Sequence, residues 1–182
     1  MKIRILCIED NDDDADLVKN FLKLLTNGTK FEIVTACRAS EAISLIEEPG
    51  SSFDVVFLDL NLPDCTGEET IHQFEAYFGR LPFIVLTAFH TYEWTNLAIL
   101  KGAQDYLDKS TISGQLLEKS MLFAISRHNY LQKCIIIGKD LAIKADDLLS
   151  LWKNEKESPW GKMESIAREL KDLSKEVMKQ DG

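Results

Sequence analysis

Apolar and polar residues come in blocks along the first two-thirds of the chain. Residues 3–8 are apolar apart from Arg4, 31–36 centre on Ile33 and Val34, and 55–58 read Val-Val-Phe-Leu. Residues 83–86 read Phe-Ile-Val-Leu, and 104–107 form a shorter run. Continuous apolar runs of this length suit strands buried on both faces of a parallel sheet. Between them the spacing becomes helical. Leu17, Val18, Phe21, Leu22 and Leu25 share one face, ended by Asn27-Gly28. Ala42, Ile43, Leu45 and Ile46 form a second face within 40–48, before the loop Pro49-Gly50-Ser51-Ser52. Ile71, Phe74 and Phe78 follow Gly67 and precede Gly79, and Trp94, Leu97, Ala98 and Leu100 precede Gly102. From Ile112 a long helical pattern begins, opening with Leu116, Leu117, Met121 and Ile125. Strand and helix alternate five times, which predicts an α/β fold: a parallel sheet covered on both faces, with right-handed crossovers.

Beyond Arg127 the pattern changes. Leu131, Ile135, Gly138, Ala142, Ala145, Leu149 and Trp152 are spaced 4-3-4-3-4-3, the repeat of a coiled-coil seam, with Gly138 as a possible break. Asn154 to Glu157 is a charged link. Ser158-Pro159 reads as a helix start, followed by Met163, Ile166, Leu170, Leu173 and Val177 at amphipathic spacing. The two helices predict a hairpin, or part of a bundle between subunits. The expected division is 1–127 and 128–182.

Charge sharpens this division. The 182-residue chain carries a formal charge of −9. Residues 1–128 hold 11 basic and 20 acidic side chains, and residues 129–182 hold 10 of each. The acidic excess makes the first part a candidate cation site and argues against phosphate-backbone binding, so no direct nucleic-acid contact is expected. The four cysteines (Cys7, Cys37, Cys65, Cys134) lack metal-ligand spacing and point to a reducing compartment. No apolar stretch is long enough for a membrane span, and the expectation is a cytoplasmic protein without membrane insertion.

The strand ends carry the chemistry. The first ends in Glu9-Asp10, followed by Asn11-Asp12-Asp13-Asp14. Asp12 or Asp13 begins the next helix, and acids suit its positive end, which accounts for some of the acids but not all. A calcium loop fails, because Ala15 stands where glycine is wanted and Phe21 where a closing Glu is needed. The third strand runs into Asp59, the fourth ends at Thr87, and Lys109 follows the fifth. In a doubly wound sheet these ends lie on one edge. Neighbouring carboxylates stay ionised only with a cation, and hard oxygen donors suit Mg²⁺. A carboxylate can attack phosphorus to give an aspartyl phosphate. In that reading Asp10 and Asp59 hold the metal and Asp59 attacks. Lys109 and Thr87 meet phosphoryl oxygens.

These stretches closely resemble the receiver domains of two-component response regulators. The matching segments are Ile8-Glu9-Asp10-Asn11, Leu58-Asp59-Leu60-Asn61-Leu62-Pro63-Asp64 with Gly67, Leu86-Thr87-Ala88, and Gly102-Ala103-Gln104-Asp105-Tyr106-Leu107-Asp108-Lys109. The resemblance covers about residues 1–127. It implies a CheY-like, flavodoxin-like sheet of five parallel strands in the order 2-1-3-4-5, with an all-α tail. It implies phosphoryl transfer to Asp59 from a sensor histidine kinase or phosphotransfer protein. It also implies Mg²⁺ ligated by Asp10 and Asp59, by Glu9 through water and by the backbone carbonyl of Asn61. Thr87 and Tyr106 would be the switch pair that alters the face made by helix four, strand five and helix five. Such a switch phosphorylates and dephosphorylates itself and is not a turnover enzyme. Where the family has a cis proline after the lysine, this chain has Ser110. Asn61 and Phe89 flank the site at positions that influence phosphoryl lifetime in the family.

Rival chemistries fit less well. A haloacid-dehalogenase-type phosphatase needs a second Asp where Asn61 stands. A dinucleotide site needs glycines where Glu9-Asp10-Asn11-Asp12 would repel a pyrophosphate. His90 has no paired acid in sequence and reads as a surface loop residue. The tail is expected to make a homodimer or dock a partner. The alternative is a constitutive helical interaction module scaffolded by a receiver that is little phosphorylated.

Overall fold

The computed structural model describes residues 2–24, 29–88, 92–153 and 164–172, with the side chains of 151–153 excepted. Asn27-Gly28, Phe89, His90, Ser158-Pro159, Met163, Leu173 and Val177, and the side chain of Trp152, lie outside the described residues.

Numbering the strands of the main sheet alone, the order along the chain is β1 (Lys2–Ile8), α1 (Asp12–Lys23), β2 (Lys30–Ala36), α2 (Ala39–Glu47) and β3 (Val55–Leu58). A two-rung hairpin follows, pairing Asn61–Leu62 with Cys65–Thr66, then α3 (Glu68–Phe78), β4 (Phe83–Thr87), α4 (Tyr92–Lys101), β5 (Asp105–Asp108) and α5 (Gly114–Lys153). The five strands pair in parallel in the order β2-β1-β3-β4-β5. Sheet order and all five strands match expectation, with β5 one residue later than its apolar run.

The apolar runs are explained by two cores, one on each face. Successive strand residues point to opposite faces, so β3 divides itself between them. Val55 and Phe57 pack with Ile5, Cys7, Ile84, Val18 and Leu22 of α1, and Leu117 and Met121 of α5. Val56 and Leu58 pack with Leu6, Ile8, Val85, Ala42, Phe74 and Ala98, under α2, α3 and α4. Every residue of β3 is buried.

Helix starts depart from the sequence reading in an instructive way. α1 begins at Asp12, but the capping oxygen belongs to Asn11, whose side chain accepts from the N–H groups of Asp13 and Asp14. α2 is capped from outside. Asp64 accepts from the Ala39 and Ser40 N–H groups at 2.9 and 3.0 Å, and from the Ser40 hydroxyl. Gly67 precedes α3 with φ +58, a conformation that favours glycine, and the Trp94 ring covers its α-carbon.

The chain forms two compact units, Met1–His128 and Asn129–Gly182. The start of α5 is fastened to β5 within the first unit: Ser120 donates to Asp105, and Arg127 to the side chain and carbonyl of Gln104. In the second unit α5 runs through Gly138 unbroken, so this glycine does not interrupt the helix. A helical segment at 164–172 is tied to it by an ion pair between Lys144 and Glu169. Among the described residues no helix is long and apolar enough to cross a membrane.

Candidate functional site

Because all five strands run the same way, their C-terminal ends share one edge. Three residues just past those ends extend the backbone ladder by one rung each. The Glu9 N–H donates to the Ala36 carbonyl at 2.9 Å, Asp59 to Ile8 at 3.0 Å, and Lys109 to Thr87 at 3.1 Å. Each side chain therefore leaves a backbone already fixed by the sheet.

Their side chains converge. The Lys109 ammonium lies 2.7 Å from Asp59 Oδ2, 2.5 Å from Glu9 Oε2 and 2.9 Å from Asp14 Oδ2. Asp59 is 6% exposed and Glu9 4%. Asp10 is exposed, yet one carboxylate oxygen from each of Glu9, Asp10 and Asp59 falls within 4.8 Å of the others. Asp59 Oδ1 accepts weakly from the Asn61 N–H at 3.3 Å, and Asn61 itself is exposed at the start of the hairpin. Thr87, the last residue of β4, is fully buried beside β5, where it pairs with Asp108. Tyr106 is half-buried on β5 and shares a hydrogen bond with Thr95 of α4. The Lys109–Ser110 peptide is trans. The loop thus delivers the ammonium to Asp59 without the family's proline.

Asp14 is the site residue that sequence reasoning missed. In the sequence it is one of three acids in the first turn of α1. The available signal was its spacing of four from Val18, which is buried in the core, so the two share a face.

Three carboxylates meet one ammonium and Asp10 lies beside two of them, which leaves an excess of negative charge in a largely buried place. The titrations reflect it. Burial, with the nearby Asp59 charge, pushes Glu9 up to about 7 against the pull of Lys109. Burial also works against the Lys109 ammonium, but its hydrogen bonds to Asp59 and Glu9 outweigh that and hold its pKa above the ordinary lysine range. Beneath the site, burial pushes the Cys7 thiol up to about 12, which leaves it an inert part of the core. The cluster of hard oxygen donors with surplus negative charge, open to solvent at Asp10, fits a divalent cation such as Mg²⁺. A carboxylate fixed against an ammonium beside a cation site is suited to receive an anionic group.

Comparison with known proteins places this arrangement. Residues 5–120 match the response regulator receiver domain. YrkP of Bacillus subtilis, described as an uncharacterized transcriptional regulatory protein, is 26% identical over 163 residues. The match takes in 86% of this chain and 66% of YrkP, so the chain spans just under two-thirds of that relative's length. A receiver domain protein from Clostridium thermocellum superposes with a TM-score of 0.60 at 26% identity, over 71% of this chain and 98% of that one. The phosphorylated cyanobacterial phytochrome response regulator RcpA gives 0.54 at 25%, over 66% and 90%. A strand order of 2-1-3-4-5, acids and a lysine gathered at one sheet edge, and a match over residues 5–120 make this chain a member of the response regulator receiver domain family.

Proposed function

We propose that the chain is a phosphoacceptor switch, taking a phosphoryl group onto Asp59 from the phosphohistidine of a sensor histidine kinase or phosphotransfer protein. The observation that carries this reading is the buried Asp59 carboxylate held 2.7 Å from the Lys109 ammonium, beside Glu9 and Asp10. An oxygen of Asp59 attacks phosphorus as the bond to the donor imidazole breaks. Lys109 is already seated to pair with an oxygen of the arriving group, and the Thr87 hydroxyl donates to another. Asp10 and Asp59 would hold Mg²⁺ directly, Glu9 through water, and Asn61 through its carbonyl. Bound there, the cation neutralises charge on the transferred group. Lys109 then has a stronger partner than Glu9 and Asp14, and those acids are released from it. Thr87 follows the phosphoryl group and Tyr106 moves with it, changing the surface of α4, β5 and α5. The hydrogen bond between Tyr106 and Thr95 supports a path from the site into α4.

In this reading residues 1–127 are the receiver and residues 128–182 a helical extension that pairs two copies of the chain in the cytoplasm. The exposed apolar residues of α5 beyond Arg127 support the pairing. The test is intact mass after incubation with acetyl phosphate, with and without Mg²⁺, beside Asp59→Asn. A single Mg²⁺-dependent phosphoryl adduct, absent from the variant, is the expected result. A folded protein that takes no adduct, or an Asp59→Asn variant that still does, overturns the assignment and favours a constitutive interaction module.

A further inference from the structure

In the second unit α5 carries two long stripes on different faces, and among the described residues only one of them meets another segment of the chain. Ile137, Lys144 and Leu148 of α5 are half-buried, and Lys144 pairs with Glu169 of the 164–172 segment, where Ile166 and Leu170 are also half-buried. The heptad seam read from the sequence lies elsewhere. Leu131, Ile135 and Leu149 are 50%, 48% and 54% exposed, and Ala142 and Ala145 are exposed between them. At Gly138 an added Cβ would meet nothing within 4 Å. At ~100° per residue the two stripes sit about 120° apart around the helix. A second helix can therefore cover the seam without displacing the 164–172 segment. Ile136 and Ile143 form a shorter stripe of two on the remaining face.

We propose that the occupant is the same seam of a second copy, running antiparallel, with residues whose numbers sum to 287 facing each other. This rests on the reading that the tail pairs two chains, and adds its direction and register. Size and charge carry it. In that register Ala142 faces Ala145 of the other copy, so the helices approach closely at the centre. Gly138 faces Leu149 of the other copy on both sides, so each large side chain meets a gap. The flanking charges agree independently. Lys139 and Asp146 stand seven residues apart on one flank, and both are exposed. Neither joins an ion pair with a described residue. Antiparallel helices set like flanks against each other, which brings Lys139 against Asp146 of the other copy twice over the two-fold axis. A parallel seam has neither advantage. It stacks three small layers at 138, 142 and 145 and leaves a gap, and it turns Lys139 toward Cys134 and Asp146 toward Leu141.

The test uses the full chain. Light scattering gives its mass, and cysteine cross-linking gives its register, in a Cys37→Ser/Cys134→Ser background. Gly138→Cys and Leu149→Cys chains should cross-link when mixed and not alone, because equivalent positions are 11 residues out of step. Lys139→Glu should weaken the dimer by about tenfold, and adding Asp146→Lys should restore it. A dimer in which each single cysteine variant cross-links with itself, or in which the double charge reversal fails to restore affinity, overturns the register and leaves the tail-dimer reading standing. A monomer overturns both.

Discussion

Replacing Lys109 by Met keeps an apolar stem of similar length and removes the ammonium. That ammonium touches Glu9 at 2.5 Å, Asp59 at 2.7 Å and Asp14 at 2.9 Å. Its loss leaves three carboxylates, two of them buried, without their counter-charge. Removing one partner of a buried ion pair costs about 3–5 kcal/mol. Part of that cost depends on pH through Glu9. Its pKa is raised from 4.5 to about 7 on folding. A raised folded value means that the Glu9 contribution is intact below pH 4.5 and is lost as pH climbs through 7. At ~1.4 kcal/mol per unit, the loss amounts to about 3 kcal/mol in the normal protein. Without Lys109 the pull that lowers Glu9 disappears, its pKa moves above 7, and the loss continues toward pH 8. That adds about 1–2 kcal/mol at pH 8. At pH 5 both proteins hold Glu9 protonated and the addition vanishes. Lys109→Met should therefore cost about 4–5 kcal/mol at pH 8 and about 3 kcal/mol at pH 5. Urea denaturation of the metal-free proteins measures both. A cost equal at the two pH values, or below about 1 kcal/mol at pH 8, refutes the electrostatic account of the site.

Two further predictions concern the turn after Asp59. Gly67→Ala places a Cβ 2.6 Å from Trp94 Cζ2 at a backbone φ of +58. It should cost about 2–5 kcal/mol from strain and overpacking together. Adding Trp94→Leu should recover the overpacking part alone in thermal melts, and full recovery would show that the backbone carries no strain. Asp64→Ala removes the oxygens that cap α2 and should cost about 1–2 kcal/mol near pH 7. Burial works against the Asp64 carboxylate, but its hydrogen bonds from Ser40 and Ala39 hold the pKa below the ordinary value of 3.8. The cap is thus present above pH 3.8 and is lost as pH falls further, so the gap between variant and parent should close in acid. A gap that persists there would assign the effect to packing.

The sheet was legible because burial on both faces leaves a plain mark, an unbroken apolar run. A strand buried on both faces has to read as Val-Val-Phe-Leu, and its position puts Asp59 at the edge. Glu9 and Asp59 were legible for the same reason, since they follow directly on apolar runs, and Lys109 comes two residues after one. What stayed hidden depends on distance along the chain. Nothing local marks Asp64 as the cap of a helix that starts 25 residues earlier. Asp14 looked like one more acid in a helix first turn until Lys109, 95 residues later, closed on it. In the tail the seam was visible as spacing. The stripe that meets the 164–172 segment contains Lys144, which apolar periodicity excludes and an ion pair to Glu169 supplies.

The bond from Lys109 to Asp14 has a consequence for how the molecule forms. The site draws on the first, third and fifth strands, so its contacts close loops of 50 and 95 residues. Parallel strands with distant partners are slow to assemble. During synthesis, Glu9, Asp14 and Asp59 all emerge well before the lysine that neutralises them. Until β5 adds to the sheet's edge, burying those acids is opposed by their own repulsion. On the phosphoacceptor reading proposed above, the site is thus among the last features the chain completes, and an incompletely folded chain would take no phosphoryl group.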